Sequence, residues 1–222
     1  MKRTLLSALL IAGAFHGIAN ADEQFERVKV FLERNMLDKD AEIKFEATGG
    51  KAGLASLKVV APDGRTVVDF KAPDSKLGIR SLALESPEPP NDGRVQADFP
   101  AGSYVFSGSD TNGARLEGKA QLSHAFPNPA TFIRPQPDAT NVRYKGLQVN
   151  WQTVKGVDAQ VFVIEQEASG RTIRVTLPAS ATSFSVPDGF LLPATEYKMA
   201  IGTVAKDGNS SFIETSFTTA KK

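Results

Sequence analysis

The chain has 222 residues, with 26 Lys+Arg against 25 Asp+Glu, a formal net charge of +1 and no cysteine. The balanced charge argues against a general nucleic-acid binder, which needs a basic excess to neutralise phosphates. The lack of thiols excludes disulfides, thiolate metal sites, cysteine nucleophiles and lipid attachment through cysteine.

The first element in chain order is an address. Lys2 and Arg3 precede an apolar run from Leu5 to Phe15, broken only by Ser7, and Ala19-Asn20-Ala21 follows. A positive head, a short apolar run and small residues where a signal peptidase reads them make a secretory signal peptide over residues 1–21, cleaved after Ala21. The run is too short for a membrane span, which takes about 20 residues. Cleavage leaves residues 22–222, removes Lys2 and Arg3, and takes the net charge slightly below zero. The mature product is expected in the periplasm or outside a bacterial cell, with no membrane span.

Beyond the signal the chain reads as strands punctuated by Pro and Gly. Phe25 to Met36 fits two periods: Val28, Phe31, Leu32 and Met36 at helical spacing, and Val28, Val30 and Leu32 at strand spacing. Ile43, Phe45 and Ala47 alternate with Glu42, Lys44 and Glu46, the pattern of a strand with one face buried and one in water. Leu57 and Val59, then Pro62-Asp63-Gly64, then Val68 and Phe70 predict a hairpin. Tyr104 and Phe106, then Asp110-Thr111-Asn112-Gly113, then Leu116, Ala120 and Leu122 predict a second. Pro127, Pro129, Pro135 and Pro137 disfavour helix and central strand, so a semi-rigid connector is expected over 127–137. It separates a β-sandwich at 22–126 from a second domain at 138–222.

In the second half Leu147, Val149 and Trp151 alternate, Ala159 to Glu167 is a β-rich run, and Leu191-Leu192-Pro193-Ala194-Thr195-Glu196-Tyr197 is followed by Met199, Ile201 and Val204. Asp207-Gly208-Asn209-Ser210 then turns into Phe212 to Thr218. From Pro135 to Thr219 this order resembles a fibronectin type III domain. Trp151 matches that family's lone core tryptophan. Residues 191–197 match its L-x-P-G-T-x-Y corner, with Ala194 in place of Gly. The resemblance implies an immunoglobulin-like sandwich, buried Trp151 and Tyr197, and a Tyr197 hydroxyl returned to the backbone. The fold class is then all-β, two β-sandwich domains in tandem.

Val30-Phe31-Leu32-Glu33, Asp38-Lys39-Asp40, Pro62-Asp63-Gly64, Phe99-Pro100-Ala101-Gly102-Ser103-Tyr104, Leu122-Ser123-His124 and Pro127 occur in that order. They are similar to an uncharacterised family of exported bacterial proteins, in which a β domain precedes a fibronectin type III domain. That similarity implies strand for Val28 to Leu32 and carries no activity with it. The chain departs from the family at Asn35 to Glu42, where Asn-Ala-Thr-Asp-x-Asp-Ala-Gly is usual.

Chemistry-bearing motifs are sparse. His16 falls in the signal, so a triad would have to use His124, which is expected to be structural, and a His-rich zinc site is excluded. No G-x-S-x-G, Walker or G-x-G-x-x-G motif is present. Glu33, Asp38 and Asp40 are the only metal candidates, as calcium ligands around a turn. Lys39 between them, and the absence of a correctly placed Gly and closing acid, favour a plain β-turn. Candidate contact loops are Asp207, Gly208, Asn209 and Ser210, together with Ala168 to Arg171.

These residues predict a non-catalytic exported binding or scaffolding protein of the cell envelope, without a cofactor. Its expected partner is another envelope protein or a polysaccharide. The alternative is a carbohydrate-binding accessory protein or a weak carboxylate-dependent polysaccharide hydrolase. The first of these needs exposed aromatic faces, for which one Trp and three Tyr leave few candidates. The second needs paired acids at separations that sequence does not reveal.

Overall fold

Strand alternation decides the architecture. A computed structural model describes residues 23–88 and 92–222, so the signal segment lies outside the described residues. In the first half the strands are β1 (Glu23–Gln24), β2 (Arg27–Asn35), β3 (Asp40–Thr48), β4 (Leu54–Val60), β5 (Thr66–Lys71), β6 (Ser81–Glu85), β7 (Gly102–Asp110) and β8 (Arg115–Leu122), with one short helix, α1 (Asp92–Asp98). In the second they are β9 (Thr131–Arg134), β10 (Ala139–Val142), β11 (Gln148–Gln152), β12 (Ala159–Gln166), β13 (Arg171–Pro178), β14 (Ser183–Ser185), β15 (Glu196–Val204) and β16 (Ser210–Thr219).

The doubly periodic stretch Phe25 to Met36 is strand over Arg27–Asn35. β2 pairs antiparallel with β3, Val30 facing Phe45 and Leu32 facing Ile43. Val30 and Leu32 are buried, whereas Phe31, which helical spacing would have placed inside, stands on the opposite face. Both predicted hairpins form, β4–β5 and β7–β8. The five-stranded sheet β1-β8-β7-β4-β5 closes over β2, β3 and β6. Leu32, Ile43, Leu57, Tyr104, Phe106 and Leu122 form the first core.

The second core lies between β14-β11-β9 and β13-β12-β15-β16, around Trp151, Phe162, Ile164, Tyr197, Ile201 and Phe217. Its sheet order and its tyrosine corner make this half a fibronectin type III-like sandwich. Tyr197 accepts a hydrogen bond at its hydroxyl from the Leu192 amide at 2.8 Å and donates to the Phe190 carbonyl at 3.4 Å. Trp151 stacks on Phe162, with ring centroids 5.8 Å apart, and its Nε1 donates to Gln160 Oε1 at 2.7 Å.

The expected connector over 127–137 is corrected. Thr131–Arg134 form strand β9, which pairs with β11, and Ala130 and Phe132 are buried in the second core. The prolines flank this strand instead of interrupting it, so its backbone donors stay free for the ladder. What joins the halves is the short stretch before Ala130.

A second departure is larger. β16 pairs antiparallel with β15 along its length, while its other edge is shared. Ser210, Ser211 and Phe212 pair in parallel with Glu33, Arg34 and Asn35 of β2, and farther along β10 takes the same edge, with Ala139 facing Phe217. The sandwiches are therefore not beads on a string. They share an eight-stranded sheet, β13-β12-β15-β16-β2-β3-β6 with β10 alongside β16.

Candidate functional site

The turn Asp207-Gly208-Asn209-Ser210 was expected as an open contact loop. The structure corrects this: Asn209 is 1% and Ser210 3% exposed. Gly208 turns the chain with φ +96 against Phe31 of the first sandwich. Asn209 Oδ1 accepts from the Leu32 amide at 2.8 Å, and its Nδ2 donates to the Ser123 and Ala125 carbonyls at 3.0 and 2.9 Å. Ser123 Oγ donates to Asp207 Oδ2 at 2.7 Å. The physical reason is satisfaction of buried groups: at the shared edge each polar atom must find a partner, and the Asn209 amide supplies both kinds. The loop is a latch between sandwiches. The other candidate, Ala168 to Arg171, remains exposed apart from half-buried Arg171.

The outer face of the shared sheet runs across both sandwiches, and a cleft of about 230 Å³ sits on it at their junction. Its apolar floor is Val163 of β12, Ala200 of β15 and Phe212 of β16, the last two buried although they point away from the second core. Gly202 makes this possible, since a Cβ there would lie 2.4 Å from the Phe212 ring. The Arg174 guanidinium rests over that ring, 5.6 Å from its centroid. The walls carry Glu33, Asp40, Glu42, Glu88, Glu165 and Glu214, from both halves of the chain.

Glu42 was expected to face water but is 6% exposed. Beside it Lys44 Nζ lies 2.9 Å from Glu42, 3.4 Å from Glu33 and 3.4 Å from Glu85. Burial opposes the Lys44 charge, yet these carboxylates outweigh it and hold its pKa above the ordinary value. Burial raises the Glu42 pKa despite the lysine. The Glu214 carboxyl is raised by loss of water and by Asp38 and Glu165, while Lys198 and a hydrogen bond from the Asn35 side chain pull it down. Asp40 is also raised, by burial and by Asp38. The cleft thus holds carboxylates that repel one another, over an aromatic floor. Such a surface attracts cations.

The calcium candidates do not converge. Glu33 turns to Lys44, and Asp38 accepts from Asn35 Nδ2 at 2.9 Å in the β2–β3 turn, where Lys39 takes φ +57. Among the described residues no group of three or more His, Asp or Glu side chains is placed to hold a metal ion. His124 Nε2 donates to the Phe99 carbonyl at 2.9 Å, far from the cleft in role. Sequence reasoning missed Phe212, Arg174, Glu165 and Glu214. One signal was present: Phe212 and Phe217 are an odd number apart on one strand, so they cannot share a face.

No protein-family model matches the chain, and no curated protein matches it. Among solved structures it is similar to the fibronectin(III)-like modules of Clostridium thermocellum CbhA, with 8% identity over 87% of this chain and 94% of that one and a TM-score of 0.35. A two-domain fibronectin type III segment of chicken tenascin matches with 15% identity over 89% and 98%, at a TM-score of 0.33. The FN1–FN3 domains of chicken CNTN1 match with 12% identity over 89% and 64%, also at 0.33.

Proposed function

We propose that the chain is an exported, non-catalytic binding or scaffolding protein of the bacterial cell envelope, and that it works through the outer face of the shared sheet. The observation that carries this reading is the pairing of β16 with both β15 and β2. Domain interfaces inside a chain usually allow relative motion. A backbone ladder across the junction removes that freedom and turns two modules into one rigid platform with a single broad face. Export is supported by the Lys2-Arg3 head, the short apolar run and Ala19-Asn20-Ala21.

The test has two readouts. Mass spectrometry of the native protein from a periplasmic or culture fraction should find an N-terminus at Asp22; an intact Met1 held in the membrane fraction overturns the export half. A photo-crosslinking residue replacing the exposed Thr172, on the shared face, should trap a discrete adduct in living cells. One replacing Val105, which is 41% exposed on the other sheet, should not. Equal yields from both positions overturn the platform.

A second reading, the carboxylate-dependent polysaccharide hydrolase, is favoured by one observation: the Glu42 and Glu214 carboxyls line the same cleft with raised pKa values. Release of reducing ends from envelope polysaccharide by the mature protein, abolished in Glu214→Gln, establishes it. The absence of any release removes it.

A further inference from the structure

The cleft is too small for the ligands that fill ordinary cofactor sites. At about 230 Å³ it falls below the range of roughly 300–1,000 Å³ of such pockets. It is the size for one long side chain. Its floor is apolar and aromatic, its walls are anionic, and it opens onto a face that continues over both sandwiches. These are the requirements of an aliphatic stem that ends in a cation.

We propose that the cleft takes a lysine or arginine side chain from an extended basic segment of a partner protein. This inference rests on the platform reading and names the chemistry of its partner.

The aromatic floor is one warrant. Phe212 points away from both large cores, over Gly202, and its ring, 6% exposed, packs with Val161 and Ala200 in a small apolar cluster that forms the cleft floor. The protein already places a guanidinium on that ring, through Arg174. An incoming cation gains the same attraction.

Charge complementarity is the second. The cations near the cleft are already engaged: Lys198 with Glu167 at 3.1 Å, Arg34 with Ser211 and with the Phe126 ring, and Lys44 with its three glutamates. Glu214 and Glu165 line the cleft together and repel, with Asp38 close by and Lys198 compensating only in part; burial first, and then these neighbours, raise the Glu214 carboxyl, while Asp40 is raised by its own burial and by Asp38. A cation between Glu214 and Glu165 relieves repulsion that the free protein carries. A polypeptide fits better than a free amine because the acidic surface is longer than the cleft. Beyond it on the same face lies Glu85, its side chain 65% exposed, which can meet a neighbouring basic residue of an extended segment.

The experiment uses the mature protein, residues 22–222, and a fluorescein-labelled hexapeptide of alternating lysine and serine, followed by anisotropy at low and moderate salt. The lysine peptide should bind at least tenfold more tightly than its norleucine counterpart, and the difference should shrink as salt rises. Glu214→Gln combined with Glu165→Gln should weaken binding by tenfold or more. Arg174→Gln should tighten it several-fold by removing the built-in competitor from the ring. Glu117→Gln, on β8, should change nothing. Circular dichroism melts confirm that each variant is folded.

Equal binding of the norleucine peptide, or an unchanged affinity in the double variant, overturns the proposal. Displacement by spermidine at the same molar concentration as an unlabelled lysine peptide overturns the polypeptide part, because a free polyamine then satisfies the site equally well. Weakened binding in Arg174→Gln also overturns it, since that arginine would then be holding the peptide. If the peptide fails while cross-linking through Thr172 persists, this inference falls and the platform stands. If cross-linking shows no preferred face, the platform falls first.

Discussion

Ala194 stands where the corner motif usually has Gly, and it takes φ +50. A left-handed conformation disfavours any residue with a Cβ by about 1–2 kcal/mol, and part of any gain from Gly is offset by the larger freedom of the unfolded chain. Ala194→Gly should therefore raise stability by up to about 1 kcal/mol, measured by denaturant unfolding. Trp151 behaves in the opposite way. It fills the second core and donates to Gln160, whose Nε2 in turn donates to the Ala179 and Ala181 carbonyls at 2.8 Å each. Trp151→Ala should cost about 3–5 kcal/mol through the cavity. Gln160→Leu keeps the volume yet orphans the indole N–H and both carbonyls, at about 1–3 kcal/mol for each buried group. A Gln160→Leu variant as stable as wild type would show that water reaches this network. Trp151 and Tyr197 were legible because their neighbours form a recognisable order. Gln160 was not, because a glutamine in a strand has no signature until its partners are known. The same holds for Tyr104, whose hydroxyl donates to the Pro100 carbonyl at 3.1 Å and is pushed up to about 12, chiefly by burial. Pro100-Ala101-Gly102-Ser103-Tyr104 and Pro193-Ala194-Thr195-Glu196-Tyr197 are two versions of one corner device, which only the hydrogen bonds make evident.

At the level of elements, the hairpins β4–β5 and β7–β8 were readable because turn chemistry and alternation agree within a few residues. β9 was not, because the prolines that announced a connector also bracket a strand of four residues. The pairing of β2 with β16 had no local signal at all, since its partners are 177 residues apart. The latch at Asn209 tests that pairing. Asn209→Ala removes a buried amide and leaves the Leu32 amide and two carbonyls without it, at a cost of about 3 kcal/mol. Calorimetry should then resolve the single transition expected for the wild type into two. A single transition that merely shifts downward would mean that the ladder alone couples the sandwiches. Glu214 at the same junction gives a pH test. Its folded pKa is raised above 4.5, so the protonated form is favoured in the native state. That contribution is fully present below the unfolded value and is lost as pH rises through the folded one. Glu214→Gln should thus stabilise the protein near neutral pH, and the advantage should vanish as pH falls towards 4.5. Thermal melts across that window check the sign; an advantage that grows in acid would refute it.

For the whole molecule, composition and alternation led to an all-β chain with two cores, and the structure has both. The cleft was hidden for a different reason. Its acids come from β2, β3, β12, β16 and the segment after β6. In the sequence each of those on a strand is simply the polar member of an alternating pair, and Glu88 sits among prolines. Only the sheet order brings them together, and that order depends on a strand crossing from one sandwich to the other.

That crossing strand also sets a schedule. A chain made from its N-terminus delivers β2 long before β16. Until β16 arrives, the first sandwich exposes the pairing groups of β2 as an open edge, a template that a neighbouring molecule can read as readily as the correct partner. Long sequence separation makes the closure slow as well. The vulnerable interval is therefore the time between emergence of residue 35 and docking of residue 210. During it, crowding by sister chains and the supply of holding chaperones decide whether the shared sheet is completed or lost to aggregation.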